Sequence, residues 1–219
     1  VTPREDIAGN LSAVRARIAA AAARAGRDPA SVTLVAVGKT KPLEDLLAAA
    51  TAGITHFGEN RVQEAEAKFP SLPPGVTRHL IGPIQSNKAN RAAKIADVVQ
   101  TVDAPDIARR LARGAETAGK RLRVLIEVRL GGEATKAGVD PEGAAALADE
   151  VRAIPALDLA GLMTIPPPGE TRPHFAALRR LAERLGLAEL SMGMSDDFEA
   201  AIEEGATLVR IGTAIFGRR

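Results

Sequence analysis

The sequence predicts an α/β fold built as a single (β/α)8 barrel of the TIM type. Three observations lead there. Eight short apolar segments alternate with helical ones, the connections between them are only a few residues long, and no linker, repeat or low-complexity stretch interrupts the alternation. Such alternation makes a parallel sheet with helical crossovers, and eight units favour closure into a barrel. The chain has 219 residues, fewer than the roughly 250 usual for that fold; short loops and small Ala-rich helices would accommodate the difference. An open doubly wound sheet is the alternative. Residues 1–219 read as one domain.

The elements follow in order. Thr2, Pro3 and Glu5 have the pattern of a helix start, with Thr2 as cap and Pro3 in the first turn. The Ala-rich stretch behind them runs to Arg24 and stops at Gly26. This extra N-terminal helix would fill the place of an eighth crossover helix. Residues 32–37 are a continuous apolar run, as expected of a strand buried on both faces. Pro42 and Gly53 bracket a helix at 43–52, followed by a strand at 54–57 and a helix at 60–68. Further strands are expected at 78–81, 97–102, 123–128, 158–162, 189–192 and 208–211. Helices at 86–95, 105–118, 141–153, 173–185 and 196–204 separate them, and almost nothing follows the last strand.

Composition narrows the chemistry. Hydrophobic residues make up 46% and charged ones 26%, with a formal net charge of only +2, so the chain is globular and near charge balance. Basic residues are not clustered with aromatics, which argues against nucleic acid. No apolar run approaches the ~18 residues of a membrane span, and VTPREDIAGN lacks a signal-peptide core. A cytoplasmic protein is expected. There is no Cys, which excludes disulfides, thiolate metal sites and thiol nucleophiles. There is also no Tyr and no Trp, so no phenol can act as acid or base.

Several candidate motifs fail. Gly38-Lys39-Thr40 resembles the end of a P-loop, but Thr33 stands where the first glycine is required. His56, His79 and His174 have no metal-ligand spacing. Gly193-Met194-Ser195 lacks the last glycine of a hydrolase elbow. What survives is positional. Lys39 stands at the carboxyl end of the first strand, where barrels build their active sites, as a solvated loop lysine or as an amine that forms a Schiff base. Asn60 either caps the next helix or turns its amide to a ligand. Ser195, Gly212 and Thr213 lie after strands seven and eight, where barrels frequently bind phosphate; Ser195 could equally be a plain helix cap. Arg210 is on strand eight, and if it points inward its charge must meet a partner. Lysine, phosphate cup and inward arginine together describe a pyridoxal phosphate site.

These segments resemble the pyridoxal phosphate homeostasis protein family, single-domain barrel relatives of the alanine racemase N-terminal domain. The matching stretches are LVAVGKTKP at 34–42, FGENRVQE at 57–64, HLIGPIQSNK at 79–88, GLMTI at 161–165 and LSMGMSDDFEAAIEEGATLVRIGTAIFG at 190–217. The resemblance implies that Lys39 holds pyridoxal 5'-phosphate as an internal aldimine. It implies that Ser195, Gly212 and Thr213 bind the phosphate, that Arg210 faces the pyridine nitrogen, and that Asn60 lies nearby. An arginine there keeps the ring nitrogen unprotonated and makes the cofactor a weaker electron sink. Two departures stand out: Arg78 where an aromatic is frequent, and Glu127-Val128-Arg129 where Gln-Val-Asn is more usual. Neither is expected to touch the set of Lys39, Ser195 and Arg210. Glu133 and Lys136 match a polar loop of the family after strand five, and their plainer reading is as solvated loop charges.

Two functions of different classes remain. One is a non-catalytic protein that buffers pyridoxal phosphate and delivers it to apo-enzymes, a monomer without metal, membrane or nucleic-acid partners. The other is a pyridoxal-dependent amino-acid racemase. Two-base racemases oppose a lysine with a tyrosine from a partner's C-terminal domain. This sequence ends two residues after Gly217 and contains no Tyr. Carriage is therefore the expected function, with weak racemase-like side activity still open.

Overall fold

In the computed structural model, which describes residues 6–131 and 137–218, eight parallel strands close into a barrel in chain order. They are β1 (Thr33–Val37), β2 (His56–Glu59), β3 (Thr77–Leu80), β4 (Val98–Val102), β5 (Leu122–Glu127), β6 (Leu157–Met163), β7 (Glu189–Ser191) and β8 (Leu208–Ile211). β8 returns to β1 with Arg210 opposite Val35, which excludes the open sheet. The crossovers are α2 (Leu43–Thr51), α3 (Val62–Lys68), α4 (Ala89–Ile95), α5 (Pro105–Thr117), α6 (Ala144–Arg152), α7 (Arg172–Leu185) and α8 (Phe198–Glu203).

The leading helix, α1 (Ile7–Arg24), packs against α2, α8 and the one-turn helix α9 (Thr213–Phe216), and so completes the outer ring. Its polar ties include Arg17 to Glu199, Arg24 to Glu203, Arg15 to the Gly53 carbonyl at 2.7 Å, and the Asn10 amide to the Ile215 carbonyl at 3.0 Å. Its cap is Asp6, whose carboxylate accepts from the Gly9 N–H at 2.8 Å. Thr2, Pro3 and Glu5 lie outside the described residues, as do Glu133 and Lys136.

Where boundaries move, local chemistry explains it. β2 runs to Glu59, beyond the expected end at 57, because Gly58 and Glu59 pair with His79 and Leu80. Glycine and glutamate are poor strand formers and hide that extension. The segment at 86–95 splits into a 3-10 turn, Ser86–Lys88, followed by α4.

Both faces of each strand are buried, but they are not alike. Ala36, Phe57, Val99, Ile126, Leu162 and Val209 face the helices and build the main core with Leu46, Leu111, Phe175 and Phe198. Side chains alternate along a strand, so Gln100 and Arg210, next to Val99 and Val209, point into the barrel. There a small apolar cluster of Val98, Leu125 and Met163 is accompanied by buried polar groups, among them His79, Gln100, Ser191 and Arg210.

Candidate cofactor site

A cavity of about 240 Å³ opens at the carboxyl ends of the strands. Lys39 and Thr40 line it from the loop after β1, Asn60 after β2, Ile165 after β6, Met194 to Asp196 after β7, and Gly212 and Thr213 after β8. All six candidate residues, Lys39, Asn60, Ser195, Arg210, Gly212 and Thr213, line this one cavity. Its size suits a small ligand. Val37, Ile81, Ile165 and Met194 supply apolar walls, the last two unusually exposed for large hydrophobic side chains.

The loop that carries Lys39 is held from α3. The Lys68 ammonium donates to the Gly38 carbonyl at 2.9 Å, and the Thr40 N–H donates to the Glu64 carboxylate at 3.0 Å. Lys39 thus sits between two anchored peptide groups, with its side chain exposed at the cavity. Thr40 takes φ +62°, a left-handed conformation strained for a β-branched residue. Lys68 also pairs with the fully buried Glu59 at 2.8 Å. Burial pushes the Glu59 carboxyl up, and Lys68 opposes that shift.

Neither proposed capping role is found. Arg61 occupies the cap position of α3 and Asp197 that of α8. The Ser195 hydroxyl instead accepts from the Ala214 N–H at 3.3 Å and ties the β7 loop to the β8 loop. Gly193, at φ +90°, lets the β7 loop lie close on α8: a Cβ there would stand 2.6 Å from Ala201 Cβ.

Arg210 points inward and is 3% exposed. It donates from Nη1 to the Ser191 hydroxyl at 2.6 Å and from Nη2 to the Thr164 carbonyl at 2.9 Å. Burial lowers its pKa to about 10, with Glu127 and Asp197 opposing, so it stays cationic at neutral pH. Burial, then Asp103, raises Glu127 to about 7 while Arg210 pulls it down. Glu127, set aside in the sequence as a departure remote from the site, is therefore electrostatically coupled to Arg210. Arg78, the other departure, hydrogen-bonds the Phe69 carbonyl and pairs with Asp97.

A matching description of the alanine racemase N-terminal domain covers residues 9–219. The chain is 50% identical to the pyridoxal phosphate homeostasis protein of Pseudomonas aeruginosa, over 97% of this chain and 96% of that one. It is 43% identical to the Escherichia coli protein of the same name, over 98% and 97%. The chain belongs to the pyridoxal phosphate homeostasis protein family.

A family-level match extends to structure. PipY of Synechococcus elongatus, solved with pyridoxal phosphate bound, aligns with a TM-score of 0.86 and 38% identity over 97% of this chain and 100% of that one. An alanine racemase of Clostridium difficile 630 aligns at TM-score 0.75 with 14% identity, covering 57% of that chain, a likeness of fold alone. The donor set of this family member suits such a cofactor. It offers an amine for an aldehyde, two hydroxyls beside a glycine for a phosphate, and apolar walls for a ring. A Cβ at Gly212 would lie 3.2 Å from the Val37 carbonyl, so the bare glycine keeps the β8 loop close against β1. Among the described residues, no group of three or more His, Asp or Glu could hold a metal, and no helix is long and apolar enough to cross a membrane.

Proposed function

We propose that this protein binds pyridoxal 5'-phosphate, anchors it through Lys39, and serves to buffer the cofactor in the cytoplasm and deliver it to apo-enzymes. The observation that carries this reading is the convergence of Lys39, the Ser195, Gly212 and Thr213 loops, and the inward Arg210 on one cavity. When bound, the cofactor supplies an aldehyde that joins an amine covalently and a ring that withdraws electrons.

The chain's own residues divide the remaining tasks. Ser195, Gly212 and Thr213 would hold the phosphate, and Asn60 would orient the ring from the β2 loop. Arg210 would offer a fixed N–H to the ring nitrogen and leave it unprotonated, which limits electron withdrawal. A two-base racemase also needs a group opposite the lysine, and this sequence contains neither Tyr nor Cys. The names of the homologous proteins agree with a homeostatic role.

The test is optical and then chemical. Purified protein given pyridoxal phosphate should develop a visible absorbance band, and reduction with borohydride should fix the cofactor's mass on Lys39. Lys39→Ala should show neither. A wild-type protein that stays colourless overturns the reading. Incubation with L-alanine should yield no D-alanine at ordinary enzyme rates, about 1–1,000 per second; turnover in that range would establish a racemase instead.

A further inference from the structure

A file of buried polar side chains crosses the barrel from Arg210 to its opposite end. Arg210 donates to Ser191, and the Ser191 hydroxyl donates to the Gln100 carbonyl oxygen at 2.6 Å. The Gln100 amide nitrogen is 3.0 Å from His79 Nδ1, and His79 Nε2 is 2.9 Å from His56 Nδ1. The residues come from β8, β7, β4, β3 and β2 in turn. Ser191 and Gln100 are fully buried and His79 is 1% exposed. His56, the first residue of β2, is half-buried and lines a second hollow of about 440 Å³ at the amino ends of the strands, shared with Arg15 and Thr55. The file therefore joins the candidate cofactor cavity to the opposite face.

Its direction follows from donor chemistry. A guanidinium can only donate, so Ser191 accepts there and turns its own proton to the Gln100 carbonyl. The Gln100 amide is left to donate to His79 Nδ1. A neutral imidazole that accepts at Nδ1 donates at Nε2, and His56 must then accept at Nδ1 and carry its proton on Nε2. Every donor points the same way, and each group is satisfied by the next.

We propose that Ser191, Gln100, His79 and His56 form a one-way hydrogen-bond relay that positions the Arg210 guanidinium, with His56 as its protonatable end. The proposal rests on the reading that this guanidinium meets the cofactor's ring nitrogen. A proton on His56 Nδ1 must donate to His79 Nε2. His79 then carries its proton on Nδ1, the Gln100 amide must turn over, and two donors converge on Ser191. The grip on Arg210 changes as a result.

Charged neighbours bear on this end of the relay. Burial lowers the His56 pKa, and Glu189 of β7 opposes that shift without reversing it. Burial, then His56, then Arg123 of β5, which pairs with Glu189 and Asp158, hold His79 down to about 3. Arg15 of α1 lines the hollow beside His56. At neutral pH both imidazoles are thus held in the single-proton form that the relay needs.

Two measurements test the relay. In cofactor-free protein, nitrogen-15 imidazole spectra at neutral pH should show both His56 and His79 as the Nε2–H tautomer; an Nδ1–H tautomer at His79 overturns the proposal. In protein loaded with pyridoxal phosphate, cofactor release should accelerate as His56 protonates. His56→Gln should erase that pH dependence. Gln100→Leu, which preserves side-chain volume, should erase it too and speed release about fivefold, the scale of one hydrogen bond between neutral groups. Release from Gln100→Leu with the wild-type rate and pH profile overturns the proposal. If wild-type protein takes up no cofactor, the cofactor reading fails, and the tautomers still decide the relay on their own.

Discussion

The Lys68 ammonium lies 2.9 Å from the carbonyl oxygen of Gly38, the residue immediately before Lys39. One helix thereby holds the loop that presents the candidate anchor. Lys68 also neutralises Glu59, a carboxylate with no solvent exposure. Lys68→Met should cost about 3 kcal/mol, because removing one partner strands the other in the interior. Glu59→Gln added to it should recover part of that loss. Urea denaturation of the single and double variants measures both, and a double variant no more stable than Lys68→Met would refute the pairing argument.

Thr40 is held at φ +62° beside Lys39. Replacing it with glycine removes the steric cost of that conformation and adds backbone entropy to the unfolded chain, the first being larger for a β-branched residue. Thr40→Gly should raise stability by about 1 kcal/mol in chemical denaturation while loosening the Lys39 loop. The second effect is read as faster loss of the visible band on dilution of the loaded protein.

Gly193 tests the β7 loop. A methyl group there would meet Ala201 Cβ at 2.6 Å and Phe198 Cα at 2.9 Å, on a backbone at φ +90°. Gly193→Ala should destabilise by about 3 kcal/mol, a combined cost of strain and overpacking. It should also displace Ser195, so that cofactor affinity falls by more than the loss of folded protein explains. Equilibrium dialysis at a temperature where the variant remains folded separates the two.

Glu127 predicts a pH dependence of stability. Its pKa is raised from 4.5 to about 7, first by burial and then by Asp103, so the folded protein prefers the protonated carboxyl. A raised folded-state pKa contributes stability that is fully present below 4.5 and is lost as pH rises through 7. Full ionisation costs about 3 kcal/mol by this linkage. Glu127→Gln should therefore be more stable than wild type at pH 8 and nearly equal to it at pH 4. Thermal melts across that range give the difference, which should shrink steadily as pH falls.

His79 predicts the opposite limb. Burial lowers its pKa to about 3, and a depressed folded-state value gives stability present above 6.5 and lost as pH falls toward 3. His79→Gln should flatten the acid limb of the stability profile. A variant that retains the wild-type acid slope would place that slope on other groups.

The barrel was legible because its outer faces obey simple rules. Ala36, Val99 and Val209 lie against helices, and their runs alternate with Ala-rich segments of helical length. Lys39, Ser195, Arg210, Gly212 and Thr213 were legible because they fall at the carboxyl ends of strands, where loops converge in a closed parallel barrel. Three kinds of feature were hidden. Glu64 and Lys68 look like an ordinary i,i+4 surface pair, yet they hold the peptides on either side of Lys39. His56 and His79 stand 23 positions apart without metal spacing, and only the pairing of β2 with β3 sets their rings side by side. Glu127 looked like a detail of β5 until the closed barrel turned it toward Arg210.

The order of amino acids carries the alternation of strand and helix, the absence of phenol and thiol, and the positions that loops bring to one end. These follow from residue type and spacing, which act locally. Tertiary structure alone decided the inward turn of Arg210, the partners that satisfy it, and the direction of the polar file behind it. Those depend on which strands lie opposite across a closed barrel, and no local rule specifies that distance.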